Sequence, residues 1–83
     1  MNNEYLFLFH TPLGVIQLKK KLNDWDIHFL IIDAPRTLSA ECGMAVRFEL
    51  TERYQYSTLI NSQVKSVYQI TAEGYDILWQ DQQ

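Results

Sequence analysis

The alternation of apolar and polar positions divides the chain into short strands and one clear helix. Residues 5–10 form an almost continuous apolar and aromatic run, which predicts a central first strand. Thr11 and Pro12 then suit an N-cap and a first helical position. Apolar residues recur after them at spacings of three and four, namely Val15, Leu18, Leu22 and Trp25. We therefore predict a first helix over residues 12–23.

Two further strands flank the only cysteine of the chain. Residues 27–33 and 44–50 both alternate with a period of two, which predicts strands two and three. Pro35 ends the earlier strand because proline lacks a backbone donor. The residues between the strands, 36–43, are predicted to form a loop. The positions expected to face the core are Phe29, Ile31, Met44, Val46 and Phe48.

The last third of the chain predicts a second helix and a fourth strand. The helix is expected over residues 53–62, with Tyr56, Leu59 and Ile60 facing the core, and the strand over residues 67–71. Residues 72–83 fit either a fifth short strand or an arm that packs on the sheet. In this tail Tyr75, Ile77 and Trp79 alternate with polar or smaller residues, which would put them on one face.

The order βαββαβ predicts an α+β fold, a ferredoxin-like sandwich with two helices on one face of an antiparallel sheet. Strands one and three would form the central pair of that sheet. The chain has 83 residues, enough for a single domain over 1–83 with one modest core. Both faces of strand one are apolar, so we expect the second sheet face to be covered by the tail or by a second subunit.

Composition and charge exclude several classes of function. The formal net charge is -3, and the longest basic run is the lysine triplet at 19–21, which argues against a nucleic-acid surface. No apolar run approaches the roughly 20 residues of a membrane helix. A single cysteine forms no internal disulfide, which fits a reducing cytoplasm and leaves a free thiol. The sequence has no metal-ligand spacing and no cofactor motif, so we expect neither a metal site nor a bound cofactor.

Cys42 is the most reactive group that the sequence offers. It lies in the predicted loop, and Gly43 follows it, so no side chain on that side would shield the sulfur. Nearby cations lower the pKa of a cysteine thiol and favour the nucleophilic thiolate, whereas Glu41 would oppose a second negative charge. The alternative is that Cys42 is a small buried apolar residue, as many free cysteines are.

Four residues are candidates to act with this thiol. Arg36 and Arg47 bracket Cys42 and would form a cationic rim, or they are ordinary solvated charges. Ser39 would stabilise the loop or donate a hydrogen bond to the sulfur. Strand one should run antiparallel to strand three, which would bring His10 close to the loop as a proton shuttle. His10 is otherwise an ordinary residue at the end of a strand.

Residues 35–48 also carry a resemblance. The order Pro-Arg-x-Leu-Ser-x-x-Cys-Gly-x-Ala-x-Arg-Phe resembles the signature of the selenium/sulfur carrier-like family. The remaining layout is similar to that family over nearly the whole chain. The resemblance implies that Cys42 holds sulfur or selenium as a persulfide-type adduct. It also implies protein partners, with a cysteine desulfurase as a possible donor.

The resulting expectation is a carrier or adaptor rather than a stand-alone enzyme. One thiol with no resolving cysteine leaves little for multistep catalysis. The alternative is a non-catalytic binding or regulatory module that acts through protein or small-ligand contacts. The open sheet face would allow either form to pair as a homodimer.

Overall fold

The computed structural model of the protein describes residues 2–39 and 43–82. Within these residues an α-helix and a five-stranded sheet form an α+β domain. The elements in chain order are β1 (Asn3–Phe9), α1 (Pro12–Asp24), β2 (Phe29–Asp33), β3 (Met44–Leu50), β4 (Val64–Thr71) and β5 (Gly74–Gln80). The first helix and all four expected strands are therefore present, and the tail forms a fifth strand.

The sheet is antiparallel throughout, in the order β2-β3-β1-β4-β5. The prediction that strands one and three are central neighbours is confirmed, because Phe7 of β1 lies opposite Val46 of β3. On its other side β1 pairs with β4, where Phe7 lies opposite Val67. The order of the first four strands is compatible with a ferredoxin-like fold.

The prediction of a second helix is wrong. Residues 53–62 contain only a four-residue 3-10 helix, Tyr56–Leu59, between turns. The segment is rich in aromatic, hydroxyl and β-branched residues, which are weak helix formers, and no side chain caps the 3-10 helix. Its apolar side chains still face inward as predicted, with Leu59 buried and Tyr56 and Ile60 packed on the core.

The main core lies between the sheet and α1. The helix sits over β1 and β3 and buries Val15, Leu18 and Leu22, as the spacing predicts. Gly14 is also buried, and a Cβ at this position would overlap the ring of Phe9. The sheet contributes Tyr5, Phe7, Val46, Phe48, Leu50, Val64 and Val67 to this cluster.

A second, smaller cluster lies on the opposite face of the sheet. It contains Leu6, Leu8, Ala45 and Tyr68, all buried. Leu38 from the β2–β3 connection packs against it, together with Ala34 and two strand residues. Of the two alternatives for the tail, the fifth strand is the one observed, since β5 continues the sheet as an edge strand and does not lie over this face as an arm. Part of the cover comes from the loop before Cys42.

The faces of the edge strands differ from the sequence prediction. A register shift between Val67 and Tyr68 brings both Leu78 and Trp79 against the main core, so Trp79 does not share a face with Ile77. At the other edge Ile31 is 42% exposed, because α1 covers β1 and β3 rather than β2. Met44, also predicted to be a core residue, is 44% exposed.

Candidate functional site

The loop with the cysteine is closed by main-chain hydrogen bonds. The amide of Ala34 donates to the carbonyl oxygen of Gly43 at 2.8 Å, which extends the β2–β3 ladder by one pair. Within the loop, the amides of Leu38 and Ser39 both donate to the carbonyl oxygen of Pro35. The predicted accessibility of Cys42 concerns a residue outside the described part of the chain. Its covalent neighbour Gly43 is exposed, and a Cβ built there would have no described atom within 4 Å.

A cavity of about 200 Å³ lies at this end of the sheet. The loop contributes Ser39 and Gly43 to the lining of this cavity. The end of β1 and the start of α1 contribute His10 and Thr11. The antiparallel pairing of β1 with β3 explains this meeting, because it sets the last residues of β1 beside the first residues of β3. His10 therefore shares a cavity with the two residues that border 40–42.

His10 is held by a carboxylate at the end of the sheet. Its Nε2 lies 2.9 Å from Oδ2 of Asp81, the residue after β5. The side chains of His10 and Asp81 are 33% and 23% exposed, so water reaches the pair only in part. Beside them, the Thr11 hydroxyl donates to Oε1 of Gln63 at 2.6 Å. The imidazole thus has a defined partner at one ring nitrogen.

One residue that lines this cavity, Lys65, and the partner of His10, Asp81, were missed from the sequence. Lys65 lines the cavity because β4 begins at Val64, three residues before the predicted start. Asp81 reaches His10 because β5 runs beside β4. Apart from the apolar Val64, no pattern in the sequence marks this earlier start of β4. A lone aspartate in a polar tail carries no signal either.

The two candidate arginines lie in different places. Nε of Arg47 donates to Oε2 of Glu4 at 2.6 Å, and this hydrogen bond raises the pKa of Arg47 above its ordinary value. Arg47 lines another cavity, with His28 and Glu49, rather than the one that holds Ser39 and Gly43. Arg36 is an exposed residue of the turn before Leu38.

In residues 2–39 and 43–82, no three or more acidic or histidine side chains are grouped to hold a metal ion. The helix of the described chain is too short and too polar to cross a membrane.

Comparison with known proteins identifies a family and a relative of this chain. A family model described as "Putative Se/S carrier protein-like" matches residues 4–74, from β1 to the start of β5. The chain is also 34% identical to the uncharacterized protein YtiA of Escherichia coli K12 over 65 residues, which cover 78% of this chain and 76% of that protein. No solved structure matches the chain. The match over most of its length shows that the chain belongs to the selenium/sulfur carrier-like family.

Proposed function

We propose that the protein is a carrier that holds sulfur or selenium on Cys42 and passes it to a partner protein. The observation that carries this proposal is the family match, which spans the loop containing the only cysteine of the chain. A carrier of this kind needs a reduced thiol, which the cytoplasm maintains. It also needs a protein donor and a protein acceptor, for which a cysteine desulfurase is the proposed donor class.

The proposed loading step is a thiol exchange on a donor persulfide. The Cys42 thiolate attacks the outer sulfur of the donor, a new S–S bond forms, and the donor's own S–S bond breaks. The outer sulfur moves with its hydrogen, so Cys42 becomes a persulfide and the donor leaves as a thiolate. No net oxidation occurs, which is why neither a cofactor nor a resolving cysteine is required. Delivery to an acceptor thiol is the same step in reverse.

The surroundings of the loop support this chemistry. Gly43 borders the cavity, and no described atom lies within 4 Å of where a Cβ of this residue would stand. Ser39 is assigned to the loop, since its amide closes the turn on Pro35. His10, which also lines the cavity, is the proposed site of proton exchange. Arg36 is the proposed cation of the rim, and Arg47 would act only at longer range.

Mass spectrometry of the intact protein tests the carrier function. We expect that incubation with a cysteine desulfurase and cysteine adds the mass of one sulfur atom, and that a thiol reductant removes it. Absence of an adduct, while the desulfurase turns over and a known acceptor in the same tube is loaded, would refute sulfur transfer from this donor class. A parallel reaction with a selenium donor would separate the two elements.

The two arginines are expected to differ in their effect on the thiol. Arg36→Ala should slow alkylation of Cys42 near neutral pH because it removes a positive charge from the cysteine loop. Arg47→Ala should have a smaller effect, because the Arg47 guanidinium is engaged by Glu4 at another cavity. The measurement is the rate of iodoacetamide addition to each variant. A larger loss in Arg47→Ala than in Arg36→Ala would reverse the assignment.

A binding module that works as a homodimer is the second candidate. The sheet register sets five residues in one row across the face opposite α1, in the order Leu30, Arg47, Leu6, Tyr68 and Ile77. Leu30 and Ile77, at its two ends, are 63% and 54% exposed. In a dimer whose twofold axis runs along β1, Leu30 of one copy would lie over Ile77 of the other. The row of residues is therefore self-complementary.

Light scattering tests this dimer. We expect a dimeric mass for the unaltered chain and a monomeric mass for Leu30→Lys, because a charge at the end of the row would be buried against an apolar partner. Ile16→Lys, at an exposed apolar position on α1, is the matched control and should stay dimeric. A monomeric unaltered chain would remove this candidate.

A further inference from the structure

The outer side of β2 presents main-chain groups with no strand beside them. β2 forms one edge of the sheet, and within residues 2–39 and 43–82 its only strand partner is β3. The amide of Ala34 donates to the carbonyl oxygen of Gly43, so these residues form a hydrogen-bonded pair of the antiparallel ladder. Such pairs alternate along a strand, which turns the main-chain groups of Leu30 and Ile32 toward β3. The groups that point outward belong to the alternate residues of β2, namely Phe29, Ile31 and Asp33.

β2 also exposes large apolar side chains on both of its faces. Leu30 is 63% exposed on the face opposite α1, and Ile31 is 42% exposed on the face that α1 covers elsewhere. A partner that packed on one face of the sheet would leave the other of these side chains in water. A strand that continued the sheet beyond β2 would cover both at once.

The other edge of the sheet is protected against such pairing, and β2 is not. A register shift interrupts the ladder that holds β5, and Asp76 places a charge within that strand. The ladder between β2 and β3 is unbroken, and the only charge of β2 is Asp33 at its end. Because bulges and charges are the means by which edge strands avoid association, the edge at β2 is the one suited to pair.

We propose that β2 pairs in antiparallel direction with β2 of a second copy of the chain, about a twofold axis at Ile31. In this register Ile31 lies opposite its own counterpart, and Phe29 lies opposite Asp33 of the second copy. Every outward N–H group of β2 then meets an outward C=O group of the other strand. The assembly closes as a dimer, because pairing occupies both β2 edges and leaves only the two β5 edges outside.

The charges beyond the ends of β2 agree with the same centre. Asp26 precedes Ile31 by five positions and Arg36 follows it by five. Antiparallel pairing about Ile31 therefore brings Asp26 of one copy to the end of the strand pair where Arg36 of the second copy lies, and the symmetry repeats this contact. The two Asp33 residues would be about 13 Å apart along the strands, at about 3.3 Å per residue. The pairing thus brings opposite charges together and keeps like charges apart.

Analytical ultracentrifugation of the full chain tests the strand pairing. We expect a dimeric mass for the unaltered chain and a monomeric mass for Ile31→Lys at the same concentration, because two lysines would lie opposite one another. Ile77→Lys is the matched control, since Ile77 is an exposed apolar residue of β5, at the far edge of the sheet. It should stay dimeric. A dimer through the row from Leu30 to Ile77 would give the reverse result, because Ile31 lies on the opposite face.

The charge contacts are tested by reversing Arg36. Arg36→Glu should weaken the dimer by about tenfold, because it turns two exposed ion pairs into two like-charge contacts. Arg53→Glu makes the same change of charge at an exposed residue outside the proposed interface, and its dimer should dissociate like that of the unaltered chain. Equal dissociation constants for the two variants would contradict the register about Ile31.

Amide hydrogen exchange tests the interface without any substitution. The amide of Ile31 should exchange slowly in a concentrated sample of the unaltered chain and rapidly after dilution to the monomer. The amide of Ile32, which faces β3, should exchange slowly in both samples.

Two results would overturn the inference. One is an unaltered chain that is monomeric in the concentrated sample. The other is a dimer in which the amide of Ile31 exchanges as fast as in the monomer. If Ile31→Lys fails to fold, the exchange experiment still decides. Failure of sulfur loading would refute the carrier function and leave the strand pairing as it stands, because the pairing does not depend on the thiol.

Discussion

Replacing Val15 by aspartate is expected to unfold the domain. Val15 is 3% exposed in the main core, where α1 packs over β1 and β3. An aspartate there would bury a charge with no partner, at a cost of several kcal/mol. The whole stability of a chain of 83 residues is about 4–12 kcal/mol, at roughly 0.05–0.15 kcal/mol per residue. The penalty is therefore comparable with the total.

Ile16→Asp is the matched control for this prediction. Ile16 is the next residue of the same helix but is 63% exposed, so its side chain contributes little to the core. The free energy of unfolding of Ile16→Asp should stay within about 0.5 kcal/mol of the unaltered chain. Thermal melts followed by circular dichroism provide the comparison. Equal melting of the two variants would mean that α1 does not bury the face described here.

Replacing Cys42 by serine is expected to abolish sulfur loading while the fold persists. The chain has no other thiol, so a persulfide cannot form elsewhere on a cysteine. The sequence places Cys42 in a loop, where a serine changes little buried area, so the loss of stability should be under about 1 kcal/mol. Intact-mass spectra after incubation with the desulfurase and thermal melts measure the two effects.

Ser57→Ala is the control for the loading experiment. It keeps the thiol and changes an exposed side chain of the 3-10 helix Tyr56–Leu59. We expect this variant to be loaded like the unaltered chain and to melt close to it. If Cys42→Ser melts as early as Val15→Asp, the thiol is structural, and the binding module becomes the better account of the protein.

Much of the fold follows from periodicity, where burial and spacing agree. Val15, Leu18 and Leu22 predict α1 because each turn of the helix brings one apolar side chain to the sheet. The absent second helix is a case where periodicity misleads. Its inward residues, such as Leu59, are spaced as on a helix, yet a 3-10 turn places them on the core equally well. Intrinsic preference decided between the two, because most residues of that segment are weak helix formers.

The candidate site is predictable only where topology decides it. His10 and Gly43 line the same cavity because β1 and β3 pair in antiparallel directions. Periodicity identifies both of these strands in the sequence. The contact of Asp81 with His10 depends on β5 and on a register shift in the β4–β5 ladder. The alternation in the tail left β5 open between a strand and an arm, and no pattern in the sequence marks the register shift. The exposure of Ile31 was equally unpredictable from the sequence, since it depends on where α1 lies.

The central position of β1 also bears on how the chain is made. β1 (Asn3–Phe9) leaves the ribosome before both of its neighbours, β3 (Met44–Leu50) and β4 (Val64–Thr71). Its apolar run therefore has no strand to pair with until more than half the chain has been synthesised, and its second edge stays open until β4 emerges. Unpaired apolar strands are the segments that associate between chains. The nascent protein is thus most vulnerable to aggregation before its own middle strands arrive to enclose β1.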